Sequence, residues 1–489
     1  MICHRRRSID TAEATNREKG QIHMNADTRA SLDRIFYPAG LALVGASGTP
    51  GKFGAIVMEG ILRMGYQPLY PVNPREKEIF GLTAYPSVTA IPGPVDLAII
   101  LLPAPAVRQT VIECVRKGVA GAVIFSAGFG ERGEEGRRLQ EEIVRIARQG
   151  GMRLIGPNCL GYYCPASKIT SFPKVLMEKV EAPCGPVGAV SQSGSFLDNL
   201  TIIGAAKGLG FSKLVSSGNE SDLTAMDFLE YLGEDEETGI IVSYLEGVRD
   251  GTRFLEAAKS ISRHKPIIVW KAGVTESGAR AAASHTGSLA GARNIWEGAF
   301  RQAGIILVRS QEELIDDLVA FYHLPPSRGR GVAIISGPGG LAVGAADVCS
   351  DLGLRVVDLS PERRAELGAF VPAVGSSVEN PVDLGPAVLI TPQIAAQAAR
   401  ILARDPQVHM LLVIGTDAPG FGEGIAELAG TLEKPLVVSF TSPPEHIPDE
   451  YNFLARRGIP VYADAYRAAR ALAALAGWHE RRDRHEERI

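Results

Sequence analysis

Apolar runs of strand length alternate with longer helical patterns along almost the whole chain. "GLALVGAS" reads as a strand and "GAIVMEGILRMG" has helical spacing. "QPLYPVNP" is strand-like again, and "VDLAIILLP" is nearly continuous in apolar residues, as a strand buried on both faces should be. "APAVRQTVIECVRKG" follows as a helix, then "AGAVIFSAG", a further helix and "MRLIGPNCLG". This βαβ rhythm predicts a parallel sheet over residues 30–165. "CPASKITSFPKVLMEKVEAPCGP" breaks it. A second array occupies residues 183–324, from "GPVGAVSQSGSFLDNL" through "TGIIVSYLEG" and "KPIIVWKAG". After the linker "LPPSRGRG", a third array covers residues 331–478, opening with "GVAIISGPGGLAVGAADV". The openings of the second and third arrays share one layout: strand, small-residue turn, helix. The expected fold class is therefore α/β, a Rossmann-like domain followed by two flavodoxin-like doubly wound domains.

The ends lie outside this rhythm. Residues 1–29 are set apart as a disordered extension. Within it, residues 1–23 are basic, then mixed, with no apolar core of a secretory signal, and Met24 opens a more ordinary beginning. The tail "HERRDRHEERI", residues 479–489, is charged and expected to be solvated.

Composition narrows the function classes. Hydrophobic residues make up 45% of the 489, enough for sizeable cores, and the net charge of −4 gives no electrostatic case for nucleic acid or an anionic membrane. No apolar run reaches membrane-spanning length. Six cysteines fall without a C-x-x-C or any regular framework, which reads as a reduced, cytoplasmic chain.

Three places carry candidate chemistry. "LVGASGTPGKFG" is a glycine-rich turn between a strand and a helix, a usual place for a phosphate. It is neither a Walker A, since Gly45 to Gly51 leaves five residues and Phe53 replaces Ser/Thr, nor G-x-G-x-x-G. Asn73 stands where NAD enzymes place an acidic ribose ligand, so a nucleotide-like ligand other than NAD is favoured over a bare tight turn. In "GAVSQSGSF", Ser193, Gly194 and Ser195 open a helix after a strand and can cradle a small anion, although helix capping explains serines there equally well. It is not a nucleophile elbow, because Ser191 and Ser195 replace the glycines of G-x-S-x-G. Finally, Glu246 ends one strand and His285, in "RAAASHTGSLAG", follows the next, so both belong on one sheet edge with Ser193. A carboxylate beside an imidazole fixes its tautomer and prepares the other nitrogen as a nucleophile. A lone surface histidine is the bland alternative. A metal site is disfavoured, because no other His or Cys falls at ligand spacing.

Taken in order, "LVGASGTPGKFG", "YPVNP", "LIGPNCLG", "GAVSQSGSF", "SGNESD" and "AAASHTGSLAG" resemble the NDP-forming acyl-CoA synthetases, relatives of succinyl-CoA synthetase, over about residues 30–475. The third array, with "ENPVDLGP", resembles the extra domain of the ADP-forming acetate-type enzymes. The resemblance implies that carboxylic acid, CoA and ATP are interconverted with acyl-CoA, ADP and phosphate through an acyl phosphate. It implies His285 as phosphoryl carrier, Glu246 as its support, and Ser193, Gly194 and Ser195 as the phosphate-binding turn. CoA contacts map onto Gly45, Ala46, Ser47, Lys52, Val72, Asn73 and Pro103, with Asn158 and "SAGFGE" lining the same cleft. The acid is expected near Phe196, Asn219 and Glu220. No third-array pattern suits an ATP-grasp module, so the resemblance implies an α-type subunit. ATP/ADP and Mg2+ would then be held by an ATP-grasp β subunit, with α2β2 assembly. Two alternatives stand beside it: a non-catalytic CoA-binding or sensing protein on the same fold, and a CoA-transfer enzyme without a nucleotide partner.

Overall fold

The computed structural model describes residues 24–487 apart from 179, 181, 281–292, 392, 417, 419, 441 and 443–445. The chain forms two compact units, residues 1–307 and 308–489.

The first unit holds two open sheets. In chain order the first contains β1 (Leu41–Val44), β2 (Leu69–Val72), the small hairpin β3 (Glu78–Ile79) and β4 (Leu82–Thr83) beside it, then β5 (Leu97–Ile100), β6 (Gly121–Ile124) and β7 (Arg153–Ile155). Its path is β2-β1-β5-β6-β7, with every pair parallel. The second contains β8 (Tyr162–Cys164), β9 (Ile169–Thr170), β10 (Cys184–Ser191), β11 (Phe211–Ser216), β12 (Ile240–Leu245), β13 (Ile267–Lys271) and β14 (Ile306–Val308), on the path β14-β13-β12-β10-β11-β8-β9. Counting only parallel strands, both run 2-1-3-4-5, the doubly wound order in which the chain reverses direction beside the first strand. That reversal opens a crevice at the C-terminal strand ends, between β1 and β5 in one sheet and between β10 and β12 in the other.

The strands are buried because both faces are covered. Leu41, Leu43, Leu97 and Ile99 point to one face of the first sheet, and Ala42, Val44, Ala98 and Ile100 to the other. The first of these cores continues without interruption into Val190, Val215, Ile241 and Val269 of the second sheet. The helix Ala26–Phe36 helps to join them: Phe36 lies 5.3 Å from the Tyr162 ring and 5.1 Å from that of Tyr231. Shared burial of this kind is why the two sheets form one unit.

Three boundaries differ from the sequence reading. Residues 26–29, set apart as disordered, begin that helix: Asn25 accepts hydrogen bonds from the Asp27 and Thr28 amides, and Leu32, Ile35 and Phe36 are buried below. Residues 162–170, read as the end of the first array and the break after it, form the antiparallel edge of the second sheet. The charged tail is also not separate, because the helix Ala465–Glu486 runs through it and buries His479. In each case a tertiary contact decides what local polarity does not.

The second unit contains β15 (Gly331–Ser336), β16 (Arg355–Val356), β17 (Val382–Asp383), β18 (Met410–Gly415), β19 (Leu436–Phe440) and β20 (Val461–Tyr462). Its order β16-β15-β18-β19-β20, with β17 against β15, repeats the 2-1-3-4-5 pattern. It has its own core on each face of the sheet. Among the described residues no helix is long and apolar enough to cross a membrane.

Candidate active site

The glycine-rich turn leaves β1 at Gly45, whose φ of +91° suits glycine. A Cβ on Gly54 would lie 2.2 Å from the Gly45 carbonyl oxygen, so the following helix, Phe53–Met64, starts hard against the strand end. Asn73, just beyond β2, donates from Nδ2 to the Ala46 carbonyl at 2.9 Å and ties the two loops together. Glu76 completes the corner: its carboxylate accepts from the Gly48 amide at 3.1 Å and from the Asn73 amide at 3.1 Å. The turn's anion-binding capacity therefore lies at exposed Lys52 and the helix start, since Gly48 is already committed to a carboxylate. Pro103 precedes the helix Ala104–Lys117 beyond β5, across the same crevice. Of the residues singled out from the sequence, Ala46, Ser47 and Val72 are buried and offer little side-chain surface, whereas Gly45, Lys52, Asn73 and Pro103 reach it. Sequence reasoning missed Glu76.

The crevice of the second sheet is organised by Gln192, which follows β10. Its Oε1 accepts from the Glu246 amide at 2.6 Å and from the Gly247 amide at 3.1 Å. Its Nε2 donates to the Gly247 carbonyl at 2.9 Å and to Glu220 Oε1 at 3.1 Å. One buried amide thus fastens the loops after β10, β11 and β12. Glu246 is held from the other side too, since Lys271 Nζ donates to its carbonyl at 2.7 Å. Burial pulls the Lys271 ammonium down to about 8 against the opposing pull of Glu246. Burial raises the Glu220 carboxyl, while the Ser217 hydroxyl, the Gln192 amide and the Ala225 amide counter it. Neither Gln192 nor Lys271 was singled out from the sequence. The available signal was position, each at the C-terminal end of a buried strand.

Ser193 stands at the N-terminus of the helix Gly194–Ala206, and its side chain makes no capping hydrogen bond there. Its hydroxyl lies 3.3 Å from that of Ser195, and Ser191 Oγ takes the Ser193 amide at 3.0 Å. The helix start consequently keeps donors and two hydroxyls for an anion. Phe196, expected near the acid, packs into an aromatic cluster with Tyr244 and Trp270, at ring separations of 5.4 and 5.8 Å. His285 lies outside the described residues. β13 ends at Lys271, which meets Glu246, and beyond residue 292 the described chain continues as the helix Arg293–Gln302.

The two crevices meet through the loop after β11. Asn219 accepts from Asn158 Nδ2 at 3.2 Å, and its own amide donates to Glu131, which follows β6. Asp222, fully buried in its side chain, accepts from Arg148, Arg153 and the Leu154 amide at 2.7–3.1 Å. Among the described residues no group of three or more His, Cys, Asp or Glu side chains is arranged to hold a metal.

Three family models match the chain in sequence: a CoA binding domain at residues 40–165, a succinyl-CoA ligase like flavodoxin domain at 184–321, and a ligase-CoA domain at 332–487. The chain is 39% identical over 454 residues to the acetate–CoA ligase [ADP-forming] II subunit alpha of Pyrococcus furiosus, covering 91% of this chain and 97% of that one. It is 41% identical over 446 residues to the acetate–CoA ligase [ADP-forming] I of Archaeoglobus fulgidus, covering 91% of this chain and 63% of that longer protein. The structure of dinucleotide-forming acetyl-coenzyme A synthetase 1 from Ca. Korarchaeum cryptofilum, in complex with phosphate and ADP, superposes with a TM-score of 0.85. It shares 34% identity, over 94% of this chain and 99% of that one.

Proposed function

The chain belongs to the NDP-forming acyl-CoA synthetases as an α-type subunit, and from that premise we propose that it passes a phosphoryl group between acyl phosphate and nucleotide on His285. The activity is that of an ADP-forming acid–CoA ligase, in which CoA and a nucleotide take part.

In the proposed cycle the acid's acyl phosphate forms against the Ser193–Gly194–Ser195 helix start. There the hydroxyls and free amides neutralise charge on the transferring group, which needs positioning more than covalent assistance. CoA lies along the first domain between Gly45, Lys52, Asn73 and Pro103, and its thiolate attacks the acyl carbon as phosphate leaves. Ala46, Ser47 and Val72 shape the floor of that cleft, and Asn158 supports it through Asn219. The Glu246 carboxylate orients the His285 ring and stabilises the phosphorylated imidazole. The observation that carries this reading is the pinning of the Glu246 main chain between Gln192 and Lys271, beside an uncapped helix start, at the edge where β12 and β13 end.

A similar protein of nearly equal length is named a subunit alpha, and a similar protein with one longer chain extends well beyond the matched region. Both support a partner subunit. We assign to it an ATP-grasp module holding ATP or ADP with Mg2+, in an α2β2 assembly.

The test is labelling from γ-32P-ATP in the chain co-expressed with its ATP-grasp partner. The expected label is alkali-stable and acid-labile, and His285→Ala abolishes it while CoA binding persists. Label retained in that variant would remove His285 from the mechanism.

A further inference from the structure

We propose that Glu131 is a positioning residue for acyl transfer to CoA: its carboxylate bridges the two domains of the first unit and sets the CoA-side loop against the loop that supports Glu246. This rests on the acyl-phosphate reading above.

One carboxylate oxygen accepts from the Gly128 and Phe129 amides, the latter at 3.1 Å, in the turn after β6. That turn packs on the start of the Pro103 helix, where a Cβ on Gly128 would lie 3.1 Å from Ala104 Cβ. The other oxygen accepts from the Asn219 side-chain amide, 88 residues away in sequence. Asn219 is fixed on every side: its amide nitrogen donates to the Pro157 carbonyl at 2.9 Å, and its carbonyl accepts from Arg249 at 3.0 Å. Its side chain also meets Asn158 and, at 3.2 Å, Gln140. Gly218 lets the loops touch, since a Cβ there would lie 2.4 Å from the Pro157 carbonyl oxygen. The next residue, Glu220, receives Gln192, and Gln192 receives the Glu246 amide. A path of hydrogen bonds, joined by the main chain between Asn219 and Glu220, therefore runs from the CoA-side turn to Glu246. Burial works to raise the Glu131 carboxyl, but the amides around it hold it below the usual carboxylate range, so it stays ionised.

A purely structural fastener already exists on the far side of the same loop, where Asp222 holds Arg148, Arg153 and the Leu154 amide. Loss of Glu131 leaves that clasp in place and moves only the side facing the two crevices. Acyl transfer depends on ångström-level placement of thiolate against acyl carbon.

The test reads one half-reaction that needs no nucleotide. Arsenate attacks the thioester carbonyl; the new C–O bond forms as C–S breaks, CoA leaves as thiolate and takes the proton that arsenate gives up. Water then cleaves the mixed anhydride to acid and arsenate. CoA release is followed with acetyl-, butyryl- and phenylacetyl-CoA in the complex with the partner subunit. In Glu131→Gln the remaining oxygen keeps the Gly128 and Phe129 amides, so the new amide faces the Asn219 amide donor; in Asn219→Asp two carboxylates face each other. Each is expected to lower kcat at least about tenfold with KM changed less than about threefold, as expected of misplacement without lost binding. The double variant exchanges donor and acceptor and is expected to recover to within about threefold of wild type. Unchanged kcat in the single variants, a loss carried by KM, a double variant no better than either single, or a wild-type complex inert to all three thioesters overturns the proposal. Labelling from ATP is measured in parallel. Its absence in wild type overturns the phosphohistidine reading, while the arsenate series still decides Glu131.

Discussion

Lys271 shows how one buried side chain can serve a site and weigh on stability at once. It is 4% exposed, donates to the Glu246 carbonyl and lies 4.8 Å from the centre of the Trp296 ring. Burial lowers its pKa from 10.5 to about 8, so the folded chain releases this proton at lower pH than the unfolded chain does. Between about pH 8 and 10.5 the unfolded state binds more protons, and this group's contribution to stability rises with pH. Below pH 8 its unfavourable contribution is present in full. The urea midpoint of wild type is therefore expected to gain on that of Lys271→Met as pH climbs through this window; parallel midpoints would count against it. In sequence, Lys271 is only the polar end of "KPIIVWK". Its role comes from the carbonyl of Glu246, which belongs to the neighbouring strand.

The loop after β11, residues 217–222, ties together loops of both sheets in the first unit. "SGNESD" reads in sequence as a polar loop beyond a strand, with Asn219 and Glu220 as candidate neighbours of the acid. In the fold Asn219 faces Glu131 and Asn158, Glu220 faces Gln192, and Asp222 turns back under Arg153. Asp222→Ala removes a fully buried carboxylate and strands Arg153, whose side chain is 19% exposed. Losing one partner of such a pair is expected to cost about 3–5 kcal/mol. Chemical denaturation of the first unit checks this, and a loss below about 1 kcal/mol would place the clasp among ordinary surface pairs. The helix Gly194–Ala206 gives the complementary lesson. Its serines fit capping as well as anion binding in sequence, and only the rotamer of Ser193, which leaves the helix amides uncapped, separates the two.

The chain divides into two compact units. The second unit carries hydrophobic cores of its own on both faces of its sheet. A fragment beginning at Arg309 is therefore expected to fold alone and to melt in a single transition, followed by circular dichroism. A fragment without native helix content would show that the second unit depends on the first. By contrast, the sheets of the first unit are not separable at the same level, because one core runs through both. The α/β class with its doubly wound sheets and the family were legible in the chain. Strand-length apolar runs, helical spacing and glycine turns are local signals, and each recurs within a few residues. What had to wait for the fold is everything that pairs distant residues: Gln192 with Glu246 across 54 positions, Glu131 with Asn219 across 88, and the edge strands of residues 162–170 with the second sheet. Hydrogen bonds between side chains depend on which strand ends become neighbours. That is fixed by sheet order and by the shared core, not by the residues flanking each partner in the chain.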